Sequence, residues 1–97
     1  MELDPEGVET AALAAIAPDL HGRRVLEVGC GSGRLTRRYA ARAGEVLAID
    51  PDEAAIATFR TGMPSALRAH VSTQAGTLAT LGLPDGSFDV VLLAWSL

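Results

Sequence analysis

Gly29, Gly31 and Gly33 stand at alternate positions in the stretch Glu27-Val28-Gly29-Cys30-Gly31-Ser32-Gly33. Such a run cannot be regular structure; it lets the backbone turn sharply and lets a ligand touch main chain where a Cβ would clash. The next apolar run, Glu45-Val46-Leu47-Ala48-Ile49-Asp50, ends on an acid. A carboxylate at that place can accept both hydroxyls of a ribose. Loop and acid together point to a nucleoside. Taken alone the G-x-G-x-G spacing is weak and a plain structural turn explains it as well; the acid on the following element strengthens it.

These residues need elements to hold them. Arg24 to Val28 is a short β-branched run cut off by Gly29, and Arg34 to Ala43 reads as a helix with Leu35, Tyr39 and Ala43 on one side and Gly44 past its end. Strand, glycine loop and helix are thus followed by a second strand, Glu45–Asp50, whose mostly apolar interior suits a parallel strand covered on both faces. Asp52 can cap a helix carrying Ile56 and Phe59, broken by Thr61-Gly62-Met63-Pro64. A third strand falls near Ala69 to Thr73, although Ala66 to His70 could equally extend a helical turn. Turn residues from Leu83 to Ser87 precede an apolar run, Phe88 to Trp95, that reads as a fourth strand. Before all of these, Asp4-Pro5-Glu6 and the spacing of Val8, Ala11, Ala12, Ala15 and Ile16 predict a helix from Pro5 to Ala17. The alternation implies an α/β fold with a doubly wound, mostly parallel sheet, divided into residues 1–23 (helix and linker) and 24–97 (the ligand-binding unit), and cut short after the fourth strand.

Composition narrows the function. The chain has 97 residues, 48% hydrophobic and 21% charged, with a net charge of −4. That is one globular domain or part of one, and its charge offers a polyanion little. All eight cations are arginines. The longest apolar run, Ala11 to Ala17, is far short of the ~20 residues that span a bilayer. An acidic start in place of a basic, apolar leader predicts a cytoplasmic protein. A single cysteine excludes disulfides within the chain and multi-cysteine zinc sites.

At these residues the sequence resembles a family. Val25-Leu26-Glu27-Val28-Gly29-Cys30-Gly31-Ser32-Gly33-Arg34-Leu35-Thr36 is similar to the first motif of class I S-adenosylmethionine-dependent methyltransferases. Ala48-Ile49-Asp50-Pro51 resembles their ribose-binding strand end, and Leu83-Pro84-Asp85-Gly86-Ser87-Phe88-Asp89-Val90-Val91 the stretch leading into their fourth strand, in the form found in the small-molecule and quinone-type branch. The resemblance implies a Rossmann-like methyltransferase fold, strand order 3-2-1-4, and S-adenosyl-L-methionine as cofactor. It also implies roles: backbone of Gly29, Gly31 and Gly33 around the methionine part, Glu27 orienting its amino end, Asp50 on the ribose and Pro51 beside the adenine. The main chain of Ala94 would accept from the ammonium. Thr77 stands where the family usually has an acid for the adenine amine, followed by a main-chain donor, here Leu78. A hydroxyl in that place makes a weaker, neutral contact.

A small-molecule acceptor follows from the same likeness, with no catalytic base to name. The end Ala94-Trp95-Ser96-Leu97 is unlike the Asn-Pro-Pro-Tyr type of amino methyltransferases acting on DNA bases, so nucleic acid loses weight; it also lacks the acid that magnesium-dependent catechol-type enzymes require, so no metal is expected. The alternatives are a nicotinamide or flavin dinucleotide-binding domain and a non-catalytic cofactor-binding or interaction remnant. In the dinucleotide fingerprint, G-x-G-x-x-G, the third glycine would stand where Arg34 does. Trp95 reads as packing, Cys30 as a small filler of the loop, His21 and His70 as surface residues, Asp85 as a turn residue and Asp89 as a strand-start acid. Arg34, Arg37, Arg38 and Arg42 form a solvated basic helix face. An apolar fourth strand at the sheet edge invites self-association and leaves the isolated chain marginally stable.

Overall fold

The computed structural model describes residues 20–82 and 86–94. The expected helix from Pro5 to Ala17, Asp85 and Trp95 lie outside these residues. Four parallel strands, β1 (Arg24–Val28), β2 (Glu45–Asp50), β3 (Val71–Ala75) and β4 (Val90–Leu93), form one sheet in the order β3-β2-β1-β4. The register sets Val28 beside Ile49 and Leu93, and Asp50 beside Ala75. All four strands therefore end along one edge, which is where such a sheet receives ligands.

Between the strands lie α1 (Thr36–Tyr39), α2 (Glu53–Gly62), α3 (Ser65–Arg68) and α4 (Leu78–Leu81). In α2 the Asp52 carboxylate accepts from the N–H groups of Ala54 and Ala55 at 3.0 and 3.1 Å, the capping that an acid at this place predicts. Its Ile56 and Phe59 turn inward onto Val25, Val46, Ala48 and Val71, with Leu35 and Tyr39 closing the layer. This face holds the main core, and full burial of Phe59 alone contributes about 1.5–3 kcal/mol. On the opposite face Leu26, Val28 and Ile49 form a smaller cluster with Leu47, Leu81 and Phe88.

Three elements differ in extent from expectation, each for a local reason. The helix expected from Arg34 to Ala43 is regular only over Thr36–Tyr39. Beyond it Ala43 pairs with His21, Gly44 N–H donates to the Arg23 carbonyl, and the chain tightens into an Arg42 to Tyr39 bond of the i→i−3 kind. The third strand begins at Val71 because α3 occupies 65–68, which is the helical alternative for that segment. The fourth begins at Val90, not Phe88. The Arg24 N–H is taken by the Asp89 carboxylate at 2.9 Å, while Asp89 N–H donates to the Arg24 carbonyl at 2.8 Å. Within the described residues it ends at Leu93. Helix α4 was not expected, and His70 is not a free surface residue: its Nε2 lies 2.8 Å from the Ala40 carbonyl.

Candidate functional site

The glycine loop leaves β1 at the carboxyl edge with φ of +81°, +57° and +92° at Gly29, Gly31 and Gly33. These left-handed values are costly for side-chain-bearing residues. The glycines then divide by surroundings. At Gly33 an added Cβ would stand 2.7 Å from the ring of Phe59, so this residue is glycine because α2 packs directly on it. At Gly31 an added Cβ would meet no atom within 4 Å. That open space lies at the edge where a ligand must come.

Four of the loop's N–H donors are committed inward. Gly29 and Cys30 N–H groups donate to the Ile49 carbonyl at 2.8 and 3.0 Å, Gly33 N–H to the Cys30 carbonyl at 3.1 Å, and Gly31 N–H to Asp50 Oδ2 at 2.9 Å. Asp50 Oδ1 accepts from Asp52 N–H, also at 2.9 Å. The acid expected to hold a ribose therefore also ties the loop to the start of α2. Each carboxylate oxygen has a second lone pair, so the hydroxyls of a vicinal diol can still be accepted.

Beneath the loop Glu27 is fully buried on the core face of β1. Its Oε1 accepts from the Tyr39 hydroxyl at 2.6 Å and the Thr36 hydroxyl at 2.9 Å, one from each end of α1. Sequence reasoning missed these partners. The signal was there in Thr36 and Tyr39, spaced i, i+3 on one helix face opposite an acid of the neighbouring strand. Burial, followed by the Glu27 charge and its hydrogen bond, pushes the Tyr39 phenol far above its usual value, so it stays a donor. Burial, with the charges of Glu27 and Asp50, pushes the Cys30 thiol up to about 12. A thiol held protonated is no nucleophile, in keeping with its reading as a filler.

On the far side of Asp50 a cavity of about 350 Å³ opens, lined among the described residues by Val28, Gly29, Pro51 and the segment 76–79. Gly29, Pro51, Thr77 and Leu78, four of the expected site residues, thus share one pocket, and Gly76 and Ala79 join them. Thr77 is also the N-cap of α4: its hydroxyl accepts from Thr80 N–H at 3.2 Å while Thr77 N–H donates to the Thr80 hydroxyl at 2.8 Å. Ala94 follows β4 at the same edge, half-buried against the main core. Asp50, which bonds Gly31 N–H, directly precedes Pro51 of the pocket wall; Gly33 packs against Phe59, and Glu27 is buried on the core face of β1.

Comparison with known proteins fits this arrangement. Residues 25–97 match the family described as a methyltransferase domain. A probable S-adenosylmethionine-dependent methyltransferase of Mycobacterium tuberculosis is 42% identical over 77 residues, 79% of this chain and 26% of that protein. The magnesium-protoporphyrin O-methyltransferase of Rhodobacter capsulatus is 36% identical over 85 residues, 88% of this chain and 37% of that one. The chain thus spans about a quarter to just over a third of the length of these relatives. Phosphoethanolamine N-methyltransferase 1 of Haemonchus contortus, solved with phosphoethanolamine and S-adenosylhomocysteine, superposes with a TM-score of 0.74 at 30% identity, covering 91% of this chain and 18% of that one. With the 3-2-1-4 sheet, the open glycine loop and the family match over most of its length, this chain belongs to the class I S-adenosylmethionine-dependent methyltransferases.

Proposed function

We propose that this chain forms the cofactor-binding half of an enzyme that moves a methyl group from S-adenosylmethionine to a small-molecule acceptor. The observation that carries this is the pairing of open space over Gly31 with the Asp50 carboxylate and an apolar cavity beside it, all at one sheet edge. The residues suit the cofactor. Asp50 accepts the ribose hydroxyls, Pro51 and Leu78 flank the adenine, and carbonyls of the loop and of Ala94 receive the methionine ammonium. Because the loop N–H groups at positions 29, 30, 31 and 33 are already bonded, its glycines serve by surface and carbonyl rather than as donors. Glu27 acts from beneath, keeping α1 and the loop in place.

The cofactor supplies a methyl on a sulfonium, already reactive toward a nucleophile. What remains for the protein is alignment and exclusion of water, which needs no side-chain base. A small acceptor agrees with the O-methyltransferase relative and with a net charge of −4, which gives nucleic acid little to bind. Residues 24–97 are the binding unit in this reading, and the protein works in the cytoplasm. Among the described residues no helix is long and apolar enough to cross a membrane.

Calorimetry decides between this reading and the dinucleotide alternative. S-adenosylmethionine or S-adenosylhomocysteine should bind and NAD should not; NAD binding without either sulfur nucleoside overturns the assignment. A radiolabelled methyl-transfer assay on the 97-residue chain should show no turnover. We also propose that the chain self-associates through β4. Among the described residues this strand pairs only with β1, and Val91 and Leu93 are 52% and 46% exposed. Sedimentation should show oligomers that Val91→Lys disperses. A wild-type monomer at high concentration would refute it.

A further inference from the structure

We infer that this chain holds the purine of its cofactor without reading the six-position amino group, with Thr77 as the residue that leaves it unread. The inference rests on the proposal that the cavity beyond Asp50 receives the adenine ring. Among the described residues lining it, Thr77 alone has a polar side chain. That hydroxyl is engaged in α4. It accepts from Thr80 N–H at 3.2 Å and lies 3.3 Å from the Thr80 hydroxyl, which in turn donates to the Thr77 carbonyl at 3.1 Å. The Thr77 N–H is spent on the Thr80 hydroxyl at 2.8 Å, and its carbonyl also receives Leu81 N–H at 3.1 Å.

The N–H and carbonyl of Thr77 and one acceptor site of its hydroxyl thus serve the first turn of the helix, which leaves at most one neutral lone pair for a ligand. A hydroxyl that reached the ring would still discriminate poorly, because it donates as readily as it accepts, whereas a carboxylate only accepts. The other described walls are Val28, Pro51, Leu78, Ala79 and glycine surface, which recognise a flat ring by shape. Among the described residues of this cavity an amine meets no charged side chain, so it keeps its hydration or meets main chain. Losing it should therefore cost little.

The test compares S-adenosylhomocysteine with its 6-deamino analogue, the purine riboside with the ring nitrogens kept, by calorimetry on the 97-residue chain. The two should bind within about threefold of each other. Thr77→Asp supplies the missing acceptor while keeping a residue that caps as well as threonine does. In that variant S-adenosylhomocysteine should gain about three- to tenfold over the 6-deamino analogue. A wild-type preference above tenfold for the amino form overturns the inference and leaves the cofactor assignment standing. No binding of either compound overturns the assignment itself, and the inference with it. Unchanged selectivity in a folded Thr77→Asp variant would show that position 77 does not face the six-position.

Discussion

Two stretches of the same sheet edge are built from opposite materials. Between β1 and β2, N–H groups of the glycine loop end on the Ile49 carbonyl, the Cys30 carbonyl or Asp50, and a buried acid below is gripped by two hydroxyls of α1. Beyond β3, from Gly76 to Leu81, the wall is apolar toward the cavity and its polar atoms are turned into the cap of α4. The first region fixes a charge in one position and suits recognition by hydrogen bonds. The second offers only shape. A nucleoside laid across both would be oriented at its sugar and merely accommodated at its base.

The sharpest way to break this comparison is within the glycine loop. Gly33→Ala puts a methyl 2.7 Å from the buried Phe59 ring at φ +92°, combining overpacking with backbone strain, and should cost about 2–5 kcal/mol. Gly31→Ala meets no neighbour and carries only the strain, about 1–2 kcal/mol, so it should fold yet lose cofactor affinity. Urea midpoints and calorimetry on the pair separate the two roles. A stable Gly33→Ala, or full affinity in Gly31→Ala, would mean the loop is not divided in this way.

The polar stretch was the more legible one, and the reason is physical. Few circumstances place three glycines at alternate positions with an acid ending the next strand, so Gly29, Gly31 and Asp50 stood out. The same holds for Asp52, where an acid before an amphipathic run has one common use. What could not be read was anything that depends on a partner distant in the chain. The Phe59 ring over Gly33, the His21 to Ala43 pairing that shortens α1, and the Asp89 carboxylate on the Arg24 N–H are such cases. The apolar stretch was illegible for another reason: a threonine signals equally a cap, a ligand contact or a strand residue, and only the Thr77 to Thr80 geometry decides.

Asp50→Ala should have the next largest effect. Charge-assisted bonds to two hydroxyls are each worth about 1.5–3 kcal/mol, so affinity should fall at least ~10-fold, with added loosening of Gly31. Asp52→Ala is the control. It should cost about 1 kcal/mol of stability by uncapping α2, and little affinity. Equal small losses of affinity in both would reduce Asp50 to a structural acid. Tyr39→Phe tests the grip below the loop. It keeps the ring in the core and removes one of two hydroxyl donors to Glu27 Oε1, so it should lower stability by about 1–3 kcal/mol in urea titrations. A neutral substitution would show that Glu27 is held without the Tyr39 hydroxyl.

The smallest expected effect lies in alkali, and the composition makes it readable. Without lysine, the side chains that titrate between neutrality and pH 11 in the unfolded chain are two, Cys30 and Tyr39. Burial and the nearby acids raise the Cys30 thiol to about 12, whereas an unfolded cysteine ionises near ~8.5. The folded value lies above the unfolded one, so the stabilisation is complete below about pH 8.5 and is lost as pH rises toward 12. Tyr39 behaves alike, but its loss starts only near the unfolded tyrosine value of about 10. Wild type should therefore begin to weaken from about pH 8.5, and Cys30→Ala should weaken less between that point and about pH 10. Urea midpoints across this range give the difference directly, and native Cys30 should resist alkylation at pH 8. Parallel profiles for the two proteins, or rapid alkylation, would place the thiol in contact with water and the loop in a looser state than its hydrogen bonds describe.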